Sequence, residues 1–113
     1  MSFVDIKKIN SIMRVMGNER LVSILYELDK NQSMSYNEML KFISTRSNIF
    51  AYYLRNMVSL GLVKKEYNIY FLTRIGLQTL RLYDSYKKIV MNYNLLDIKA
   101  DGIVQFEVIG RKL

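Results

Sequence analysis

Side chains suited to recognising a nucleic acid are concentrated in residues 44–62, STRSNIFAYYLRNMVSLGL. This segment reads as a polar turn, a helix over residues 47–60 and a glycine stop at Gly61. Arginine can pair with O6 and N7 of guanine, and asparagine with N6 and N7 of adenine, so Arg55 and Asn48 have the chemistry to read base edges. We therefore expect this helix to enter a groove of DNA.

The helix at residues 47–60 has two predicted faces. The inward face is apolar and comprises Ile49, Tyr53 or Leu54, Met57, Val58 and Leu60. The outward face comprises Asn48, Ala51, Tyr52, Arg55 and Asn56, none of which is acidic. Of the adjacent pair Tyr52 and Tyr53, one is expected in the core and the other toward a phosphate. Arg55 either contacts a base or is only solvated by water, as most arginines on exposed helix faces are.

The net charge of +7 comes from one block of the sequence. Residues 1–38 hold five basic and five acidic side chains, and residues 89–113 hold three of each. Residues 39–88 hold only two acids against nine bases, which are Lys41, Arg46, Arg55, Lys64, Lys65, Arg74, Arg81, Lys87 and Lys88. Such a block is typical of a polyanion-binding surface, because neutralising phosphates releases condensed counterions. A generic solubilising surface is the alternative.

The composition excludes several classes of function. The chain has 113 residues and contains neither cysteine nor histidine, so it lacks thiol nucleophiles, histidine bases and the soft ligands of most zinc sites. It also has no glycine-rich phosphate loop. We expect no enzymatic activity, cofactor or metal. No uncharged apolar run approaches the roughly 20 residues that cross a bilayer, and the N-terminus mixes acids with bases, which predicts a cytoplasmic protein without membrane association.

Three helices are predicted before residue 44. The first, over residues 3–16, carries the apolar stripe Ile6, Ile9, Met13 and Met16. The second is capped by Asn18, ends near Lys30 and buries Leu21, Ile24, Leu25 and Leu28. A capping box of Ser35 and Glu38 begins the third, whose inward side chains are Tyr36, Met39, Leu40 and Ile43. A turn of four residues then leads into the helix at 47–60, which predicts a helix-turn-helix arrangement.

A hairpin and a long helix are predicted after Gly61. β-Branched and aromatic residues flank a turn at Tyr67-Asn68, which indicates a two-stranded hairpin over residues 62–72. Thr73 then caps a helix to about residue 94. One near-heptad row on this helix comprises Ile75, Thr79, Leu82, Tyr86, Ile89 and Tyr93, and a second comprises Leu80, Tyr83 and Val90.

One of these two rows can cover the core of the domain, whereas the other needs a partner. We interpret the long helix as a dimerisation helix; the alternative is that a hairpin formed by residues 95–113 covers it. That hairpin is predicted from Asp101-Gly102, a favoured tight turn, and from the alternating residues that follow it. It either packs on the long helix or exchanges strands with a second subunit.

The order of these elements and three sequence motifs resemble the winged-helix regulators of the ArsR and MarR kind, especially archaeal ArsR-like ones. The motif MGNERLVSILYEL resembles the opening of their second helix, and SNIFAYYLRNMVSLGLV resembles their recognition helix with its glycine turn. The motif IYFLTRIGLQTL is similar to their second wing strand running into the last helix. The resemblance covers roughly residues 5–90.

The resemblance implies a mainly α fold with a small β component: a winged helix-turn-helix with a three-helix core, a short two-stranded wing and a long C-terminal helix. The expected domains are a DNA-binding domain over residues 1–94, including a dimerisation helix at 74–94, and the hairpin extension over 95–113. It also implies a homodimer through the first and last helices, with Ile9, Met13, Leu82, Tyr86, Ile89 and Tyr93 in the interface.

The DNA-binding residues implied by the resemblance are Thr45, Arg46, Ser47, Asn48, Ala51, Tyr52, Arg55, Lys64, Lys65 and Arg74. Of these, Lys64, Lys65 and Arg74 would contact the DNA backbone and carry no sequence information. Three features depart from the family pattern. Phe71 stands where related sequences often have a polar or basic residue before the Leu-Thr, which would allow an exposed apolar contact with a partner. The wing tip lacks an arginine, which argues against deep insertion into the minor groove. The absence of cysteine and histidine removes the metal-sensing sites of the classical ArsR members.

The sequence therefore favours a transcription regulator that binds specific double-stranded DNA as a homodimer. Two alternatives remain. One is an abundant chromatin-type protein that binds DNA without sequence preference. The other is a winged helix used for protein interaction, with Tyr70, Phe71 and the long helix as its contact surface.

Overall fold

Five helices and three short strands make up residues 3–43 and 45–101, the part of the chain that this computed structural model describes. In chain order they are α1 (Phe3–Met16), α2 (Glu19–Asn31), β1 (Ser33–Ser35), α3 (Tyr36–Leu40), α4 (Ser47–Ser59), β2 (Val63–Glu66), β3 (Ile69–Leu72) and α5 (Arg74–Asp101). The chain divides within α5 into two units, Met1–Arg81 and Leu82–Leu113. The first unit holds the predicted three-helix core, the wing and the first two turns of the long helix. None of the described helices is both long and apolar enough to cross a bilayer.

The predicted helix starts are confirmed by their capping bonds. The side chain of Asn18 accepts hydrogen bonds from the backbone N–H groups of Arg20 and Leu21, at 3.0 and 3.3 Å, and so begins α2. At the start of α3, the Ser35 N–H donates to the Glu38 carboxylate at 2.8 Å, and the Glu38 N–H donates to the Ser35 hydroxyl at 3.1 Å. This reciprocal pair is the capping box that the sequence predicts.

The glycine stop after α4 is also confirmed. Gly61 has φ +81°, a left-handed conformation that glycine adopts without steric cost. Its N–H donates to the carbonyl of Val58, and the N–H of Leu62 donates to the carbonyl of Met57, both at 3.0 Å. These two bonds form a Schellman motif, which ends α4 and turns the chain toward β2.

The sheet has three strands rather than the predicted two. They are antiparallel in the order β1-β3-β2, and the tip of the β2–β3 wing lies at Tyr67-Asn68 as predicted. The additional strand β1 pairs with β3, placing Met34 opposite Tyr70 and Ser33 opposite Phe71. β1 was not predicted because Ser-Met-Ser is too short to show a period-two pattern. Its pairing leaves Tyr70 buried and Phe71 half-buried. These are the two strand residues that the protein-interaction alternative places in its contact surface, and they are largely covered.

The buried face of α4 differs from the prediction. Phe50, Leu54 and Met57 form the buried stripe, with spacings of four and three residues. Phe50, which was absent from the predicted inward set, has an exposed fraction of 0%. Ile49 and Val58 were predicted inward but are 40% and 36% exposed, because at about 100° per residue they lie to either side of this stripe. Leu60 is buried as predicted, and Tyr53 is half-buried.

A hydrogen-bonded junction joins the end of α4 to the start of α5. The Thr73 hydroxyl accepts a hydrogen bond from the Gly76 N–H at 2.9 Å, which caps α5 as predicted. The same hydroxyl lies within bonding distance of the carbonyl oxygens of Gly61 and Leu62, and the Thr73 N–H donates to the Leu62 carbonyl at 3.1 Å. Thr73 therefore links the start of the wing, at Gly61 and Leu62, to the start of α5.

The long helix continues to Asp101, seven residues beyond its predicted end near residue 94. Residues 95–101 are thus helical instead of forming the first strand of the predicted hairpin. The physical reason is that LLDIKAD contains no glycine or proline to end the helix and several good helix formers. The remainder of the hairpin prediction falls on residues 102–113, which lie outside the described residues.

Candidate nucleic-acid interface

A tyrosine joins α3 to the start of α4. The Tyr36 hydroxyl donates to the backbone carbonyl of Ser47 at 2.7 Å and lies 2.7 Å from the Ser47 hydroxyl. Its ring packs against the buried ring of Phe50, with the centroids 5.5 Å apart. These contacts fix where α4 begins relative to α3. The sequence gives no signal for the Tyr36–Ser47 bond, because the two residues lie 11 positions apart and neither belongs to a recognisable pair motif.

The outward face of α4 carries the predicted polar side chains. Asn48, Tyr52 and Arg55 are exposed, and Tyr52 retains 62% of its surface. Ala51 lies half-buried beside them. The ambiguity between the two adjacent tyrosines is resolved, since Tyr52 is exposed and Tyr53 is half-buried. The two rings meet edge to face, with their centroids 5.8 Å apart. This face therefore presents a donor-rich, acid-free surface on one side of the helix.

The first turn of α4 is suited to an anion. Arg46 occupies the N-cap position in an extended conformation and makes no side-chain capping bond, and the first turn contains no acidic residue. The N–H groups at a helix start carry partial positive charge and bind phosphate readily. Arg46 and Ser47 are exposed there, and Thr45 is half-buried. The helix entrance thus combines a guanidinium group, a hydroxyl and backbone donors.

The predicted backbone-contacting cations are exposed but not equivalent. Successive residues of a strand point to opposite faces, which separates Lys64 from Lys65 on β2. Lys64 pairs with Glu66 at 2.9 Å, so part of its charge is neutralised. Lys65 instead lies over the Tyr70 ring, with its Nζ 5.7 Å from the ring centroid. Arg74 is exposed in the first turn of α5.

A groove of about 520 Å³ separates α4 from the sheet. Its lining comprises Tyr36, Ala51, Leu54, Arg55, Val58, Ser59, Lys65 and Tyr70. A second hollow of about 380 Å³ shares Tyr36, Lys65 and Tyr70 with it and extends to Asn37 and Asn68. Of the predicted DNA-binding residues, Ala51, Arg55 and Lys65 are brought together in the first groove, whereas Lys64 and Arg74 do not line it.

The wing tip presents an aromatic side chain that is not among the predicted site residues. Tyr67 is 96% exposed and has φ +58°. A residue with a Cβ is disfavoured in this left-handed region. The sequence signal that places Tyr67 at the wing tip is its position in a two-residue turn between two strands. The charged residues closest to it in sequence are Lys65 and Glu66.

Comparisons with known proteins bear on the fold. No protein-family model matches the sequence, and no curated protein matches it. The structure is similar to a crystal structure of an ArsR family transcriptional regulator, with a TM-score of 0.57 and 10% sequence identity. The similarity covers 76% of this chain and 92% of that one. This protein therefore has a winged-helix fold of the ArsR-like type, as its sequence motifs predicted.

Proposed function

We propose that the protein is a transcription regulator that binds specific double-stranded DNA as a homodimer, with α4 in the major groove. The observation that carries this proposal is the exposed face of α4, where Asn48, Tyr52 and Arg55 stand together on a helix whose opposite face is buried. The ArsR-like fold supports it, since one solved structure with a similar fold is that of an ArsR family transcriptional regulator.

The dimensions and chemistry of α4 suit a major groove. A helix with its side chains is about 10–12 Å wide, which matches the roughly 12 Å width of the groove. In this arrangement Arg46 and Ser47 contact phosphates at the helix entrance, while Asn48 and Arg55 face base edges. Ala51 and Tyr52 contact a thymine methyl group or the backbone. Lys65 and Arg74 add affinity through the phosphates without reading sequence.

Two exposed apolar rows on the described helices support a homodimer. On α1, Ile9 and Met13 are 41% and 58% exposed. On the second unit, Leu82, Tyr86, Ile89 and Tyr93 are between 51% and 72% exposed and follow a spacing of four, three and four residues. Such a row is the pattern of helix pairing. A two-fold dimer would present two α4 helices about one DNA turn, roughly 34 Å, apart and would recognise a palindromic site.

Replacing Ile89 with glutamate is expected to weaken the dimer about 100-fold, because an unpaired charge would be buried in the apolar interface at a cost of about 3 kcal/mol. Sedimentation equilibrium over a range of protein concentrations measures this change. Lys88→Glu, a charge change on another face of the same helix, serves as the matched control and should leave the dimer intact. Equal weakening by both variants would contradict an interface along this row.

Binding to duplex DNA of selected and random sequence tests the proposed function. A duplex enriched by repeated selection from a random pool should bind at least about 1,000-fold more tightly than a scrambled duplex of equal length at the same salt concentration. Both affinities should fall steeply with salt, as expected for phosphate contacts. A ratio near one would assign the protein to the non-specific chromatin-type class. Failure to bind any duplex at about 50 mM salt would exclude DNA as the partner.

A further inference from the structure

The backbone of Tyr36 is restrained by the two elements that meet just before it. The preceding residue, Ser35, belongs to β1 and lies opposite Ile69 of β3. Ser35 is also the N-cap of α3 and forms the reciprocal capping box with Glu38. Tyr36 is the first residue of α3 after this cap. Its position is therefore fixed relative to the sheet as well as to α3.

The start of α4 is held by Tyr36 rather than by a cap of its own. The N-cap residue Arg46 makes no side-chain capping bond, whereas the side chains of Asn18 and Thr73 cap α2 and α5. The Tyr36 hydroxyl group instead donates to the Ser47 carbonyl at 2.7 Å. Because a tyrosine hydroxyl carries one proton, the Ser47 hydroxyl must be the donor in the second contact, which is also 2.7 Å long. Ser47 is thus held through its backbone and its side chain.

A third contact lies one helical turn further along α4. The Tyr36 ring packs against the fully buried Phe50, with the ring centroids 5.5 Å apart. Ser47 and Phe50 lie on the same side of α4, because they are three residues apart. Two contact points one turn apart resist both rotation of the helix about its axis and tilting of its first turn. Beyond them, a groove of about 520 Å³ lies between Ala51 and the sheet, so close packing does not replace these contacts there.

Base reading depends strongly on the rotation of α4. A helix with its side chains has a radius of about 5–6 Å, so a rotation of about 20° moves the outer ends of the side chains by about 2 Å. The donor–acceptor distance of a hydrogen bond varies by only about 0.5 Å. The attraction between cations and phosphates changes less over such a shift, because it falls off slowly with distance. A rotated α4 would therefore lose selectivity among sequences before it lost affinity for DNA in general.

We propose that Tyr36 is a positioning residue for DNA recognition, and that its hydroxyl group sets the rotation of α4 on which selectivity among base sequences depends. The effect on selectivity rests on the proposed function, because it requires α4 to read base edges. Tyr36 acts through Ser47, which directly precedes Asn48 in the chain, and not through a contact of its own with a base.

Tyr36→Phe tests the proposal, because phenylalanine keeps the ring beside Phe50 and removes only the hydroxyl group. Fluorescence anisotropy at one salt concentration should show about tenfold weaker binding to the selected duplex and unchanged binding to a scrambled duplex. A purely structural role would weaken both equally, because unfolded protein reduces the active concentration for either duplex. Tyr53→Phe, the same change at a half-buried tyrosine of α4, is the matched control and should leave both affinities unchanged. Circular dichroism verifies that each variant is folded.

Amide hydrogen exchange tests the position of α4 without DNA. The Phe50 N–H donates to the Arg46 carbonyl at 3.0 Å in the first turn of the helix. In Tyr36→Phe this amide should exchange about tenfold faster than in the wild type. The amide of Met57, near the other end of α4, should keep its rate.

Three results would overturn the proposal. The first is an equal change of affinity, or none, on the two duplexes in Tyr36→Phe. The second is an unchanged exchange rate at Phe50, and the third is equally faster exchange at Phe50 and Met57, which would indicate general destabilisation. If the wild type binds no duplex selectively, the proposed function fails, while the exchange rates still decide whether Tyr36 holds the start of α4.

Discussion

Replacing Gly76 with alanine is expected to lower the free energy of unfolding by about 3 kcal/mol. At an open helix position the same change would stabilise the protein by about 1 kcal/mol, because alanine is the better helix former. Here a Cβ atom would lie 2.2 Å from the Leu62 carbonyl oxygen and 2.8 Å from the Leu72 Cδ1 atom. The closest obstacle is backbone, so the first turn of α5 would have to move away from the base of the wing.

Chemical denaturation of the two variants Gly76→Ala and Gly61→Ala measures this effect against a matched control. A Cβ at Gly61 would meet no atom within 4 Å, but φ there is +81°, so we expect a loss of only about 1 kcal/mol from backbone strain. The two glycines flank the wing in sequence and both lie at its base, but Gly61 is needed for its backbone conformation and Gly76 for close packing. Equal losses in both variants would contradict the close packing of α5 on Leu62.

Phe50→Ala is expected to destabilise the protein by about 3–5 kcal/mol, the usual cost of deleting a buried phenylalanine side chain. Phe50 is fully buried, and its ring contacts Tyr36, which in turn bonds Ser47 at the start of α4. The change should therefore loosen the position of α4 as well as the core. Denaturant unfolding gives the free energy, and amide hydrogen exchange in α3 and α4 should show reduced protection.

Ile49→Ala is the control for Phe50→Ala, because the two residues are adjacent on the same helix. Ile49 is 40% exposed, so its truncation should cost less than about 1 kcal/mol. The sequence pattern predicts Ile49 on the inward face and makes no assignment for Phe50. A larger loss from Ile49→Ala than from Phe50→Ala would mean that α4 is rotated relative to the orientation described above.

Local signals made much of the fold predictable. Asn18, the Ser35–Glu38 pair, Gly61 and Thr73 each act within a few residues of themselves, and each ends or begins an element where the sequence predicted. The polar face of α4 was predictable for the same reason, because helical spacing alone separates Asn48, Tyr52 and Arg55 from the buried stripe.

Contacts between distant residues were not predictable. The strand β1 exists because Ser33, Met34 and Ser35 pair with β3 more than thirty residues later. Placement of Phe50 in the core depends on Tyr36 from another helix, and helical periodicity could not choose between Ile49 and Phe50. The end of α5 was not predictable for a different reason. The Asp101-Gly102 pair favours a hairpin turn, whereas residues 95–101 before it are compatible with a helix, and the structure continues the helix through them.

The central claim is that the outward face of α4 reads base edges, and the conservative variant Arg55→Lys tests it. Lysine keeps the positive charge but cannot form the bidentate pair that arginine makes with guanine. Fluorescence anisotropy should be measured for the wild type and the variant on the selected duplex and on a scrambled duplex, at one salt concentration. Arg14→Lys, on the exposed surface of α1, is the matched control and should behave like the wild type on both duplexes.

We predict that Arg55→Lys weakens binding to the selected duplex by about 1–3 kcal/mol and leaves binding to the scrambled duplex unchanged. Equal losses on the two duplexes, or no loss on either, would contradict base reading by Arg55.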